Sequence, residues 1–91
     1  MIKAQYTYAA RFEPEPDGAY SVSFPDLDGC FTQGETYEKA YANAVEALSL
    51  HLHGMEEDGE KIPEATAPVC PTALYVMVTA WMSPFRDALR N

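Results

Sequence analysis

The chain has 91 residues, of which 47% are apolar and 22% are charged, and it carries a formal net charge of −8. This length allows one small domain, so we predict a single folded unit over residues 1–91, and the apolar content excludes an intrinsically disordered chain. The acidic excess, 14 Asp and Glu against 6 Lys and Arg, argues against direct binding of nucleic acid, because affinity for phosphates comes from cationic side chains.

The first predicted elements are three short strands joined by turns. Residues 2–12 alternate apolar and polar side chains, which is the two-residue period of a strand with one buried face. Two prolines and Asp17-Gly18 interrupt the alternation, which resumes from Tyr20 to Phe24. A second turn over residues 25–29 precedes a short segment, residues 30–33, with strand character. These segments predict an antiparallel meander.

A helical period follows the third strand. Thr36 is a suitable N-cap, and no Gly or Pro interrupts the chain from there to Gly54. Gly54 is a candidate C-cap, and Gly59 is the alternative end of the helix. Apolar side chains recur at spacings of three and four, which predicts one stripe that lies across the sheet: Tyr37, Ala40, Tyr41, Ala44, Val45, Leu48, Leu52 and Met55.

The last third of the chain predicts an extended segment, a strand and a short helix. Three prolines lie within residues 61–71, residues 73–82 are almost wholly apolar, and Ser83-Pro84 is typical of a helix start. The predicted order is therefore β-β-β-α-β-α, an α+β fold with a mainly antiparallel sheet. Because both faces of the last strand are apolar, we expect a homodimer or larger even oligomer with an interface formed by Val76, Val78, Trp81 and Met82.

The cysteines and the chain start indicate a cytoplasmic protein. Residues 1–12 lack the basic region and apolar core of a secretory signal, so we expect Cys30 and Cys70 to be free, buried thiols. The longest apolar stretch, residues 73–82, has about half the length that a membrane helix needs, so we predict no membrane span.

No set of side chains predicts catalysis, a metal or a cofactor. His51 and His53 would point about 200° apart on a helix and could not share a metal ion. Turn formation explains Asp26 and Asp28, and residues 56–60 lack the ligand spacing of a calcium-binding loop. We therefore predict a protein that is not an enzyme.

The acidic side chains are concentrated in one part of the sequence. Residues 12–60 contain twelve acidic side chains and one basic side chain, Lys39. An electrostatic field of this size attracts a basic partner, and the alternative interpretation is a surface that serves solubility alone.

Four motifs, in this order and spacing, resemble the HicB antitoxin family. They are the string Tyr-Ser-Val-Ser-Phe-Pro-Asp-Leu-Asp-Gly-Cys over residues 20–30, Thr-Gln-Gly-Glu-Thr over 32–36, Asn-Ala-x-Glu-Ala-Leu over 43–48 and Gly-Glu-x-Ile-Pro over 59–63. The resemblance covers residues 6–65 closely and 66–82 loosely. Asp28 stands where family members usually have Pro, and Lys39 stands where they usually have an acidic residue.

The resemblance implies a partial ribonuclease-H-like fold without a working metal site. It also implies that the protein binds and neutralises a toxin of the HicA type, a small basic messenger-RNA endonuclease, by direct protein–protein contact. An orphan structural or regulatory oligomer of the same fold, without a toxin partner, is the alternative. In this setting we expect the toxin to contact Glu13, Glu15, Asp17, Asp26 and Asp28.

The resemblance also bears on DNA binding. Many HicB proteins continue into a DNA-binding domain, whereas nine residues follow Met82 in this sequence. We therefore expect a stand-alone N-terminal domain that does not bind DNA by itself.

Overall fold

The fold is a four-stranded antiparallel sheet with one long helix across one face. A computed structural model of the chain describes residues 5–66 and 74–82. The strands pair in the order β3-β2-β1-β4, so β1 and β2 are central and β3 and β4 are edges. The elements are β1 (Gln5–Pro14), β2 (Tyr20–Ser23), β3 (Phe31–Gly34), α1 (Tyr37–Asp58) and β4 (Leu74–Trp81).

This architecture confirms the predicted α+β fold, with its meander, its long helix and the later strand. The strand β4 returns to pair with β1 along eight residues, from Gln5 opposite Trp81 to Phe12 opposite Leu74. The short C-terminal helix predicted to begin at Ser83-Pro84 lies outside the described residues, as does Cys70.

The hydrophobic core lies between the sheet and the helix. Side chains at alternate positions of the strands point toward the helix, as the period of two requires. Those of Tyr8, Phe12 and Val22 are at most 2% exposed, and Leu48 and Leu52 of the helix are completely buried against them. The helix therefore covers one face of the sheet and leaves the other face without a helix among the described residues.

The burial of β4 corrects the predicted oligomer interface. Val78 and Met82 are completely buried in the core of their own chain, and Val76 is half-buried on the same side. The helix covers this face, so the prediction that Val78 and Met82 contact a second protomer is wrong. Trp81 lies on the opposite face of the strand and is 59% exposed.

Both ends of α1 carry the capping features that the sequence predicts. The Thr36 side-chain oxygen accepts a hydrogen bond from the Lys39 amide at 3.1 Å. At the other end Gly59 adopts a left-handed conformation, with φ of 69°, and its amide donates to the Glu56 carbonyl oxygen. The helix therefore continues past Gly54, so the expectation of a C-cap at Gly54 is wrong and the alternative at Gly59 is confirmed.

The start of the helix packs directly on the end of β3 at Gly34. A Cβ atom at position 34 would overlap the backbone of Ala40 and of Lys39. Glycine is required here because the helix and strand backbones approach too closely for any side chain. This contact fixes where the first turn of α1 lies over the sheet.

Candidate functional site

The loop between β2 and β3, residues 24–30, presents two carboxylates because its middle residue is buried. Leu27 is 3% exposed and anchors the loop in the core, together with buried Phe24 and Cys30. The Leu27 amide donates to the Phe24 carbonyl oxygen at 3.0 Å, and the Cys30 amide donates to the Leu27 carbonyl oxygen at 3.2 Å. With Leu27 directed inward, its neighbours Asp26 and Asp28 are directed toward the surface.

Asp26 holds the segment that follows the helix. One of its carboxylate oxygens accepts a hydrogen bond from the Thr66 amide at 2.9 Å, and the other accepts from the Thr66 hydroxyl at 2.5 Å. The Tyr8 hydroxyl donates to the Pro63 carbonyl oxygen at 2.5 Å in the same region. These three hydrogen bonds tie residues 60–66 to the end of the sheet beside the loop.

A surface groove of about 670 Å³, here called the acidic groove, opens between this loop and the last two turns of α1. Four of its lining side chains are carboxylates, against one lysine and one histidine. Apolar side chains form another part of its wall, so the groove combines acidic and apolar surface. The lining residues are Asp26, Leu27, Asp28, Leu50, His51, Gly54, Met55, Asp58, Glu60, Lys61 and Pro63.

The other predicted toxin contacts lie at the opposite end of β2. Glu13 forms an ion pair with Arg11 at 3.3 Å, Glu15 accepts a hydrogen bond from the Ser21 hydroxyl at 2.6 Å, and Asp17 accepts one from the Ala19 amide at 3.0 Å. Each of these acidic side chains therefore already has a local partner: Glu13 within β1, Glu15 on β2 and Asp17 within the turn that joins β1 to β2. The structure thus divides the five predicted residues into a hairpin group and a loop group.

A second groove, of about 730 Å³, lies beside the hairpin group and is lined mainly by polar residues, among them Glu15, Asp17, Glu35, Lys39 and Asn43. The lysine in this groove is paired with Glu35 at 3.5 Å. Protein interfaces gain most of their affinity from apolar side chains at a desolvated centre. The acidic groove, which has Leu27, Leu50 and Met55 in its wall, is therefore the better candidate for a binding site.

The sequence pattern did not identify the helical wall of the acidic groove. Leu50 is 50% exposed and lies off the buried stripe of α1. Apart from the chain neighbours of Gly54 and the backbone of α1 itself, no atom lies within 4 Å of where a Cβ at position 54 would stand. The glycine inside the helix was the available signal, because glycine lowers the stability of a helix interior, whereas a single exposed leucine is common on protein surfaces.

Cys30 is a structural residue of the same loop. Its thiol is free and buried, as predicted, and burial raises its pKa to about 11. A thiol with a raised pKa is a poor nucleophile at neutral pH, because the thiolate is the reactive form.

Within residues 5–66 and 74–82, no three His, Cys, Asp or Glu side chains are grouped so that they could hold a metal ion. In the same ranges the structure has no helix with the length and apolar character required to cross a membrane.

The comparison with known families gives a match over most of the chain. Residues 8–71 match the model of the HicB-like antitoxin of bacterial toxin-antitoxin systems. The chain is 34% identical to the UPF0150 protein ssr1765 of Synechocystis over 81% of this chain and 94% of that protein. It is 41% identical to the antitoxin HicB of Escherichia coli K12 over 62% of this chain, and the match spans 41% of that antitoxin.

Solved structures with the same fold include antitoxins. The N-terminal domain of the Burkholderia pseudomallei antitoxin HicB superposes with a TM-score of 0.69 at 23% identity, covering 80% of this chain and 95% of that domain. A chain of the HicA3 and HicB3 toxin-antitoxin complex superposes with a TM-score of 0.60 at 25% identity, with the same coverage. On the family match and this shared fold, the chain belongs to the HicB-like antitoxin family of bacterial toxin-antitoxin systems.

Proposed function

We propose that this protein neutralises a basic toxin of the HicA type by binding it directly, in the cytoplasm and without catalysis of its own. Membership of the HicB-like antitoxin family is the observation that carries the proposal. A solved HicA3 and HicB3 complex contains a chain of this fold, which supports a toxin as the partner.

We propose the acidic groove as the part of the surface that receives the toxin. Its carboxylates attract Lys or Arg side chains that would otherwise contact RNA phosphates, and its apolar wall supplies surface that can be buried on binding. Asp28 is exposed and has no hydrogen-bond or ion-pair partner within the described residues, so its charge is available. Asp26 shapes the wall of the groove, because its two carboxylate oxygens accept hydrogen bonds from Thr66 and so hold the segment that follows the helix.

The experiment starts with a search of the adjacent reading frames for a short basic protein of the HicA type. Binding of that protein is then measured by calorimetry, together with protection of messenger RNA from cleavage by it. We expect a nanomolar complex at low salt that weakens as NaCl increases, since exposed charges are screened. Failure of the wild-type protein to bind or protect at low salt would contradict the proposal and leave the orphan-oligomer alternative.

The position of the site is tested with three substitutions that each remove one carboxylate. Asp28→Asn and Asp58→Asn, in the acidic groove, are expected to weaken the complex by about threefold each and about tenfold together. Glu38→Gln is the matched control, because it lies on the same helix about 30 Å from Asp58. Equal effects of all three would show that the toxin senses net charge and not the groove.

A further inference from the structure

The face of the sheet opposite the helix, here called the helix-free face, has four large exposed apolar or aromatic side chains. Phe31 is 71% exposed, Trp81 59% and Met77 55%, and Tyr75 is partly exposed. The strand register places Phe31 in one row with Ser23, Arg11 and Tyr75, while Met77 lies beside Ala9. Exposed apolar surface of this kind is unusual on a monomer and marks an interface.

The large apolar side chains of this face lie on its two edge strands, β3 and β4. The central strands contribute the small Ala9 and Ser23 and the ion pair of Arg11 with Glu13. A groove of about 230 Å³ lies between Arg11 and Phe31. A large side chain from a partner could fill this groove, as side chains do between the two sheets of a sandwich.

The charge on this face differs from the charge on the rest of the molecule. Residues 5–66 and 74–82 contain thirteen carboxylates and three cationic side chains. On the strand positions that point to the helix-free face, the charged residues are Arg11 and Glu13, which pair with each other. Two copies that met through any acidic surface would repel, whereas two copies that met through this face would bring together nearly neutral surfaces.

From this combination we propose that the helix-free face is where a second copy of the chain binds, by stacking of the two sheets. The surface is distinct from the acidic groove, which lies at the helix side of the β2–β3 loop. The proposal does not depend on the toxin, and it implies that one assembly holds two copies of this chain with both acidic grooves accessible.

The size of the face agrees with a moderate dimer. The 26 strand residues span about 400 Å² of flat sheet, at about 3.4 Å along and 4.8 Å between strands. Side chains that rise from the sheet increase the accessible area, so stacking two copies would remove on the order of 1,000 Å² from water. That is the lower limit for a specific interface, and we therefore expect a dissociation constant in the micromolar range.

Sedimentation equilibrium of the full chain from about 1 to 200 μM tests the proposal. We expect a monomer–dimer equilibrium, weakened at least tenfold by Trp81→Ser and by Phe31→Ser. Leu50→Ser is the matched control, because Leu50 is also a half-exposed large apolar residue but lies on the helix, and its replacement should leave the monomer–dimer equilibrium unchanged. Circular dichroism establishes that each variant is folded.

Phe31 distinguishes stacked sheets from edge-to-edge pairing of two β4 strands. It lies three strands away from β4, so edge pairing would not bury it. A dimer that Trp81→Ser disrupts and Phe31→Ser does not would overturn the stacked arrangement. A monomer at 200 μM would overturn the proposal and point to residues 83–91 of the same chain as the cover of this face.

Salt dependence and footprinting complete the test without any substitution. The dissociation constant of the dimer should stay the same or decrease between 0.05 and 0.5 M NaCl, because screening reduces the repulsion between two acidic chains. Raising the wild-type concentration should protect Met77 and Trp81 from hydroxyl-radical oxidation. Protection of these two residues by the HicA-type protein in place of self-association would assign the face to the toxin and contradict the proposal.

Discussion

Three glycines of this chain occur for three different physical reasons. Gly34 is needed because the backbone of Ala40 occupies the space of a side chain, and Gly59 because its φ of 69° is unfavourable for L-residues. Gly54 has neither constraint, since it lies inside α1 and, apart from its chain neighbours and the backbone of α1 itself, no atom lies within 4 Å of the place that a Cβ would occupy. A glycine that lowers helix stability without a packing reason fits a surface kept open beside the acidic groove.

The two helix glycines should respond to alanine in opposite directions. Gly54→Ala is expected to stabilise the protein by about 1 kcal/mol through helix propensity, and Gly59→Ala to destabilise it by about 1 kcal/mol through the left-handed conformation. Urea unfolding followed by circular dichroism gives both values. Destabilisation by Gly54→Ala would show that position 54 has a packing constraint absent from the structure.

At the scale of elements, the segment after α1 is held by side chains of the sheet and of the β2–β3 loop. Residues 60–66 have no regular secondary structure and depend on the hydrogen bonds from Tyr8 and to Asp26. Burial, with smaller contributions from Tyr6, Asp26 and Glu64, raises the pKa of Tyr8 to about 12. The protonated phenol is therefore the form that the folded protein favours.

This raised pKa predicts a loss of stability at alkaline pH. The phenol of Tyr8 ionises near pH 10 in the unfolded chain and near 12 in the folded protein, so its contribution is complete below pH 10 and is lost as pH rises toward 12. Burial of Cys30 adds a similar loss between about pH 9 and 11. The measurement is the free energy of unfolding at pH 8, 9.5 and 10.5.

Two variants separate the contributions. Tyr8→Phe should lower the free energy of unfolding by about 1 kcal/mol at pH 8, because the hydrogen bond to Pro63 is lost. Above pH 10 the free energy of unfolding of this variant should decrease less steeply with pH than that of the wild type. Cys30→Ala should make the free energy of unfolding depend less steeply on pH between pH 9 and 10. An unchanged slope in both variants would mean that neither group controls the alkaline transition.

At the scale of the whole molecule, charge is unevenly distributed over the surface. The carboxylates lie mainly on the helix, its ends and the two turns, and the helix-free face carries the pair Arg11 and Glu13. Two of the ion pairs among the described residues, Arg11–Glu13 and Lys39–Glu35, are exposed. Such pairs contribute little individually, so repulsion among the remaining carboxylates dominates the electrostatic energy.

We therefore expect NaCl to stabilise the fold. The melting temperature at a few micromolar protein should rise by several degrees between 0.02 and 0.5 M NaCl, because screening weakens the repulsion. A variant with Asp28→Asn, Glu38→Gln and Glu46→Gln is the control and should gain less from salt. A melting temperature that falls with salt would show that the ion pairs outweigh the repulsion.

Local rules determined the elements of this protein. Alternation specified β1 and β2, Thr36 specified the start of α1, and the apolar run specified β4, because each signal acts on neighbouring residues. The sequence left the end of α1 open between Gly54 and Gly59, and the structure places it at Gly59. The motif over residues 20–30 likewise indicated the family, whereas the burial of Leu27 between its acidic neighbours was found only in the structure.

The tertiary structure decided which faces are covered and which acidic residues lie together. The sequence shows that both faces of β4 are apolar, but only packing places Val78 and Met82 against α1 and leaves Met77 and Trp81 exposed. The five predicted toxin contacts looked like one acidic set along the chain, and β2 separates them into two groups. The acidic groove brings together Asp28 and Asp58, which are thirty residues apart in the sequence. Local sequence does not predict this arrangement, because contacts between the loop and the helix depend on the whole fold.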